Sequence, residues 1–226
     1  IPHANNEGGR VTGDGMEVPD YGQYKDRDWP DTAKGQAAMI SRMDADVGRL
    51  AALLRELKLD RKTLIVFTSD NGPHSEGGHK HEFFDANGPL RGFKRDLYEG
   101  GIRVPTIAWW PGVVKAGSTC AEPLAFWDFL PTACELAGAK APDDIDGISF
   151  VNALRGEKQR RHDHLFWRYA KKTAVREGMW KAVRVDPAKP TELYDLGKDP
   201  GERKDLARER PEIVKRMEGL MAAALE

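Results

Sequence analysis

Seven residues constrain this chain more than any others. Thr63-Leu-Ile-Val-Phe-Thr-Ser69 has an unbroken apolar centre and runs directly into Asp70-Asn71-Gly72. A strand with one wet face alternates apolar and polar residues. A run without alternation reads as a strand covered on both faces, the habit of parallel sheets. Thr106-Ile-Ala-Trp-Trp110 has the same texture and stops at Pro111-Gly112. Ahead of the first run, Ile40, Met43, Val47, Leu50, Leu54 and Leu57 recur at spacings of three and four. That spacing predicts an amphipathic helix over 34–58, with Arg42, Asp46, Arg49 and Glu56 on its polar side. Pro131 and Gly138 bracket a further helix over 130–137. Helix, buried strand, loop, buried strand, helix implies an α/β fold, an open sheet with helices on its faces.

Beyond residue 155 the texture changes. His164–Tyr169, Thr173–Arg176 and Trp180–Val185 are short, aromatic or β-branched, and separated by turn residues, which predicts an antiparallel meander. Pro211 opens a closing helix over 211–225 lined by Ile213, Met217, Leu220 and Met221. The expected organisation is therefore an α/β part over 1–155 and a small antiparallel-sheet subdomain over 156–226. Residues 8–32, rich in Gly, Asp and Pro, read as a long excursion with little regular structure.

Charge narrows the partners. With 35 basic against 36 acidic residues the formal net charge is -1, without the basic excess that nucleic acid or an anionic membrane asks for. No apolar run is long enough to span a bilayer. The two cysteines, Cys120 and Cys134, form no CxxC and leave the redox compartment open. The sequence begins Ile1-Pro2-His3, with no methionine and no leader, and reads as a processed or partial chain.

Candidate chemistry is concentrated between residues 70 and 103. Asp70 and Asn71 follow a buried strand, where α/β sheets bind ligands, and they offer two oxygens suited to Ca²⁺ or Mg²⁺. The same triplet is also ordinary turn chemistry. His74, His79 and His81 crowd into eight residues beside an acid and three glycines. Their spacings match no common zinc template, so at least one is expected to be a solvated loop histidine. Arg91, Lys94, Arg95 and Arg103 are spaced by glycines so as to converge on an oxyanion, surface charge being the plainer alternative.

Taken in order, these segments form a recognisable series. Pro2-His3, Thr68-Ser-Asp-Asn-Gly72, Gly88-Pro-Leu-Arg-Gly-Phe-Lys94 and Tyr98-Glu-Gly-Gly-Ile-Arg-Val-Pro105 are followed by Trp110-Pro-Gly112 and Leu130-Pro-Thr132. Asp146-Gly-Ile-Ser149, Glu192-Leu-Tyr-Asp-Leu196 and Asp199-Pro200 complete it. The whole resembles the type I, formylglycine-dependent sulfatases, of the arylsulfatase and N-acetylgalactosamine-6-sulfatase kind, over essentially the full chain. The resemblance implies an alkaline-phosphatase-like sheet with flanking helices, here partial, plus a small C-terminal antiparallel sheet and closing helix. It implies hydrolysis of sulfate esters at a calcium-like cation and favours a periplasmic or secreted setting. Carried over residue by residue, Asp70 and Asn71 match the metal pair, and Lys94 the lysine on a sulfate oxygen. His3 matches the histidine near the leaving oxygen. His74, His79, Arg91 and Arg95 would border a substrate, expected to be a carbohydrate sulfate.

One departure matters. The family nucleophile is a formylglycine made in C/S-x-P-x-R, and neither Cys120-Ala-Glu-Pro nor Cys134-Glu-Leu-Ala fits, nor does any serine. The formylglycine is expected upstream, in a missing N-terminal part of the sulfatase, and the chain alone is expected to be inactive. Two other readings stand beside this one. One is a phosphonate or phosphate monoester hydrolase of the same superfamily; the other is a non-catalytic domain that binds sulfated glycans or a partner.

Overall fold

The computed structural model describes residues 3–225, side chains at positions 8 and 10 excepted. Pro2 of the Pro2-His3 pair lies outside the described residues. In chain order the elements are α1 (Asn6–Thr12), α2 (Asp31–Glu56), β1 (Ile65–Phe67), α3 (Glu99–Ile102), β2 (Ile107–Trp109), α4 (Phe129–Leu136) and α5 (Val151–Arg155). They continue with β3 (Leu165–Tyr169), β4 (Lys172–Glu177), β5 (Trp180–Arg184), β6 (Glu192–Asp195) and α6 (Pro211–Ala223). The chain divides into two compact units. One comprises the residues up to Leu53, Ser69–Pro105 and Phe166 onward; the other comprises Leu54–Thr68 and Thr106–Leu165.

In the first unit the C-terminal sheet runs β3-β4-β5-β6, and the β4–β5 and β5–β6 ladders are antiparallel. Side chains alternate across it. On one face Ala174, Val183 and Tyr194 pack against Leu97 and Tyr98. On the other Val175, Ala182 and Leu193 pack against Met217 and Met221 of α6. Period-two alternation in the strands thus meets the three-and-four spacing of α6, and each apolar side chain fully buried there contributes roughly 1.5–3 kcal/mol. Residues 192–195, taken from sequence only as a motif, form the fourth strand.

At the N-terminal end of α2, Ala33, Gly35, Ala37 and Ala38 are buried. A Cβ on Gly35 would overlap the Met16 carbonyl oxygen, so backbone approaches backbone there. Further along α2 the predicted apolar stripe is largely uncovered, with Ile40, Val47, Leu50 and Leu57 exposed and Met43 and Leu54 half-buried. The excursion over 8–32 is less irregular than expected. Residues 6–12 form α1, held by Gly9 N–H donating to the Asn5 carbonyl (2.9 Å), and Gly22–Tyr24 form a 3-10 turn.

In the second unit β1 and β2 pair antiparallel, Ile65 opposite Trp109 and Phe67 opposite Ile107. This corrects the expectation of a parallel sheet buried on both faces. An apolar run reports burial and carries no information on strand direction. Among the described residues each of these strands has a single neighbour, and Ile107 is 60% exposed. Buried Asp128 organises the rest of this unit, its carboxylate accepting from Ala125 N, Ile148 N and His162 Nε2, each at 2.8 Å.

Candidate functional site

Two loops of the first unit lie against each other because glycine lets them. Gly72 N–H donates to the Gly101 carbonyl (2.9 Å), and a Cβ on Gly72 would overlap the Gly100 carbonyl oxygen. Gly100 N–H donates to Arg91 O (2.7 Å), and Lys94 N–H donates to Pro73 O (2.8 Å). The Asp70-Asn71-Gly72 turn, the Gly100-Gly101 turn and the Lys94 backbone are thereby tied together.

Charged groups converge at this junction. Lys94 Nζ donates to Glu76 Oε2 (2.9 Å) and lies 3.3 Å from His3 Nε2. Arg95, in the left-handed region at φ 77°, pairs with the other oxygen of Glu76. The Lys94 hydrogen bond is the largest reason that the Glu76 carboxyl is held down at about 2, so it is ionised at any ordinary pH. His3 Nδ1 lies 2.8 Å from the Ala4 carbonyl, which can only accept. That nitrogen therefore carries a proton and Nε2 faces the Lys94 ammonium as an acceptor. Glu76 and Arg95, with Asn6, Gly9, Gly77 and Gly78, line an open cavity of about 320 Å³.

The three loop histidines are all buried, contrary to the expectation that at least one is solvated. Aromatic packing provides their cover. His81 stacks on Phe93 (4.5 Å between ring centroids) and bonds Ser75 Oγ through Nδ1 (2.6 Å). His79 stacks on Phe84 and meets His74 edge-on. His74 Nδ1 accepts Glu76 N–H (3.2 Å), so the neutral ring carries its proton on Nε2, and that buried nitrogen has no partner. Burial is the main cause that lowers the pKa of both His74 and His79 below the usual histidine value. A buried N–H without an acceptor costs about 1–3 kcal/mol, which favours a ligand acceptor there.

The remaining sequence candidates separate. Asp70 is exposed, and Asn71 Nδ2 donates to Gly72 O (2.8 Å), leaving Oδ1 as its free acceptor. Among the described residues no group of three or more His, Cys, Asp or Glu is arranged to hold a metal. Arg91 turns to the C-terminal sheet. Its guanidinium sits 3.8 Å from the Tyr98 ring centroid and donates to Tyr194 OH (2.8 Å) and Glu202 O (3.2 Å), with 43% of the side chain exposed. Cys120 and Cys134 are free thiols. Among the described residues no helix is long and apolar enough to cross a membrane.

Sequence reasoning missed Glu76, which appeared only as an acid among histidines, and the buried set Glu99, Lys181 and Glu202. Lys181 carried a usable signal, a lone cation between Trp180 and Ala182-Val183 inside a strand.

The fold belongs to one class. The sulfatase family profile matches residues 14–139, and the profile of the N-sulphoglucosamine sulphohydrolase C-terminal region matches residues 80–224. The chain belongs to the sulfatase family. It is 36% identical to mouse (Mus musculus) steryl-sulfatase over 206 residues, 75% of this chain and 33% of that protein. It is 35% identical to human (Homo sapiens) arylsulfatase A over 217 residues, 80% of this chain and 41% of that protein. Among solved structures, BT4656 in complex with its substrate D-glucosamine-2-N,6-O-disulfate superposes with a TM-score of 0.67 at 25% identity, covering 85% of this chain and 40% of that one. The chain thus spans less than half the length of these relatives.

Proposed function

We propose that this chain is part of a sulfuric ester hydrolase that cleaves carbohydrate sulfate, and that the junction of Lys94, Arg95, His3 and His74 receives the sulfuryl oxygens. One observation carries the reading. Two cations, Lys94 and Arg95, already grip a carboxylate oxyanion at the edge of an open polar cavity. Fixed positive charge of this kind stabilises the negative charge that grows on a transferring sulfuryl group. His74 Nε2–H supplies an unpaired neutral donor beside it, and His79 enters the reading through its edge-on contact with His74. In this reading His3, with Nδ1–H on Ala4 O and Nε2 3.3 Å from Lys94 Nζ, is placed to handle the proton that a departing alkoxide needs. Arg91 enters this reading only through the exposed part of its side chain, at the rim of the substrate surface.

Asp70 and Asn71 supply a carboxylate and an amide oxygen on adjacent residues, donor chemistry that fits a hard cation such as Ca²⁺, with Mg²⁺ the smaller option. Two oxygens fall short of the six or more that calcium takes, so the affinity of this chain alone is weak in this reading. When bound, the cation would supply positive charge that stabilises the anionic sulfate oxygens. The nucleophile is assigned to a formylglycine outside these 226 residues, since no C/S-x-P-x-R occurs in them. Isolated, the chain binds and does not turn over. A carbohydrate substrate is supported by the relative whose substrate is a sulfated glucosamine.

The test assays the chain in calcium, alone and joined to its upstream segment, on an aryl sulfate, a sulfated monosaccharide and matched phosphate esters. Sulfate turnover only in the joined protein supports the proposal. Turnover by the chain alone, or preference for phosphate, overturns it.

A further inference from the structure

We propose that Glu99, Lys181 and Glu202 are positioning residues, a buried ion triad that fixes the Gly100-Gly101 turn and thereby the Gly72 and Lys94 backbones of the anion site. The inference rests on the reading of that junction as the sulfate site, and goes beyond it by giving the C-terminal sheet a part in setting its geometry.

The triad is out of water. Lys181 and Glu202 are fully buried and Glu99 is 2% exposed. Lys181 Nζ lies 2.8 Å from Glu99 Oε1 and 2.9 Å from Glu202 Oε1. Glu202 uses its other oxygen to accept Glu99 N–H (2.6 Å), one of the unpaired amides that open α3. Glu202 adopts φ 52°, unusual for a side-chain-bearing residue, at the end of the Asp199-Pro-Gly-Glu202 turn. The same turn also reaches the 89–91 strip, where Arg91 donates to Glu202 O and a Cβ on Gly201 would crowd Pro89 O.

Stability does not account for this arrangement. Apolar residues of similar volume in place of a buried ion pair are often neutral or stabilising, whereas directional charge selects one geometry. What the triad holds is short and connected. Glu99 leads directly into Gly100 and Gly101, whose carbonyls meet Gly72, and Pro73 accepts from Lys94 N–H. No side chain in this path is long enough to absorb a shift, so displacement of Glu99 is passed to Gly72 and to the Lys94 backbone.

Two variants of the full 226-residue chain test the inference. Lys181→Met/Glu99→Gln/Glu202→Gln removes all three charges at similar volume. Glu202→Gln alone keeps the Glu99 carboxylate facing the Lys181 ammonium, with the Arg176 and Arg103 guanidiniums 3.9 Å from its other oxygen. Amide exchange is followed by NMR at Gly72, at Lys94 and in β4 and β5, and sodium sulfate is titrated. Positioning predicts that the strand amides keep their protection. Exchange at Gly72 and Lys94 quickens about tenfold in the triple variant, in the same direction in Glu202→Gln, and sulfate affinity falls about tenfold. Unchanged exchange at Gly72 and Lys94 overturns the inference, and so does unfolding of both variants, which would make the triad a plain stabiliser. Failure of the unsubstituted chain to bind sulfate removes the sulfate-site reading instead, and the exchange result then still decides whether the triad fixes these loops.

Discussion

In the proposed sulfate site Glu76 occupies the anion's place, and its replacement has a calculable sign. Glu76→Gln keeps shape and hydrogen-bonding reach while deleting one negative charge 2.9 Å from Lys94 Nζ and in contact with Arg95. Unit charges about 4 Å apart interact by roughly 1 kcal/mol in water and roughly 4 kcal/mol at the effective dielectric of a protein surface. The cavity is open and Arg95 is largely exposed, so the lower end applies, near the ~1.4 kcal/mol that makes a factor of ten. Sulfate should therefore bind the variant about tenfold more tightly at low ionic strength, with the gain shrinking in salt. Isothermal titration of sodium sulfate into folded Glu76→Gln and unsubstituted chain reads this directly. The carboxyl also gives an acid signature. Its pKa is depressed from 4.5 to about 2, so its stabilising contribution is complete above pH 4.5 and disappears as pH falls through 2. The stability difference between the two chains should vanish across that window. Equal or weaker sulfate binding by a folded Glu76→Gln chain would refute the picture of a carboxylate held in the substrate's place.

Three further outcomes are expected. In the sulfatase joined to its upstream segment, Lys94→Ala should lose on the order of 10²–10³ in kcat and more than His74→Ala, because a charged contact to the sulfuryl group outweighs a neutral one; steady-state kinetics compares them. Asp70→Ala should abolish most calcium binding by calorimetry with an unchanged urea midpoint, since an exposed turn carboxylate packs no core. Met217→Ala, at a fully buried position between α6 and the sheet, should cost about 2–5 kcal/mol in urea unfolding while sulfate binding by the folded fraction is retained.

What was legible in the sequence depended on whether the signal was local. The apolar spacing from Ile40 to Leu57 and from Ile213 to Met221 located α2 and α6, and the turn residues around Lys171 and Gly178 separated β3, β4 and β5. Direction was not legible, since Ile65–Phe67 and Ile107–Trp109 would look the same in either orientation and proved antiparallel. Burial of His74, His79 and His81 was hidden because their cover comes from Phe84, Phe93 and one another rather than from a periodic face. At the site, motif order brought His3, Lys94 and Arg95 together. The partner that Lys94 and Arg95 share, Glu76, sits in an ordinary-looking Ser-Glu-Gly, and a charge pair between loops leaves no period to count. Arg91 showed the converse, a motif arginine that the fold turns toward Tyr98 and Tyr194.

The distance in sequence between Glu99 and Glu202, 103 residues, has a temporal meaning. A ribosome adds about 5–20 residues per second, so roughly 5–20 s separate the emergence of the two carboxylates. During that interval the Gly100-Gly101 turn has no lock, and Lys181, arriving first, can neutralise only one partner. Loops closed over such separations form late, because their entropy must be overcome before any contact repays it. If the triad positions the proposed anion site, the order of synthesis places completion of that site among the last events of folding. A chain stalled before residue 202 would carry His3, Glu76 and Lys94 with their local loop contacts but without the Glu202 anchor on the Glu99 amide.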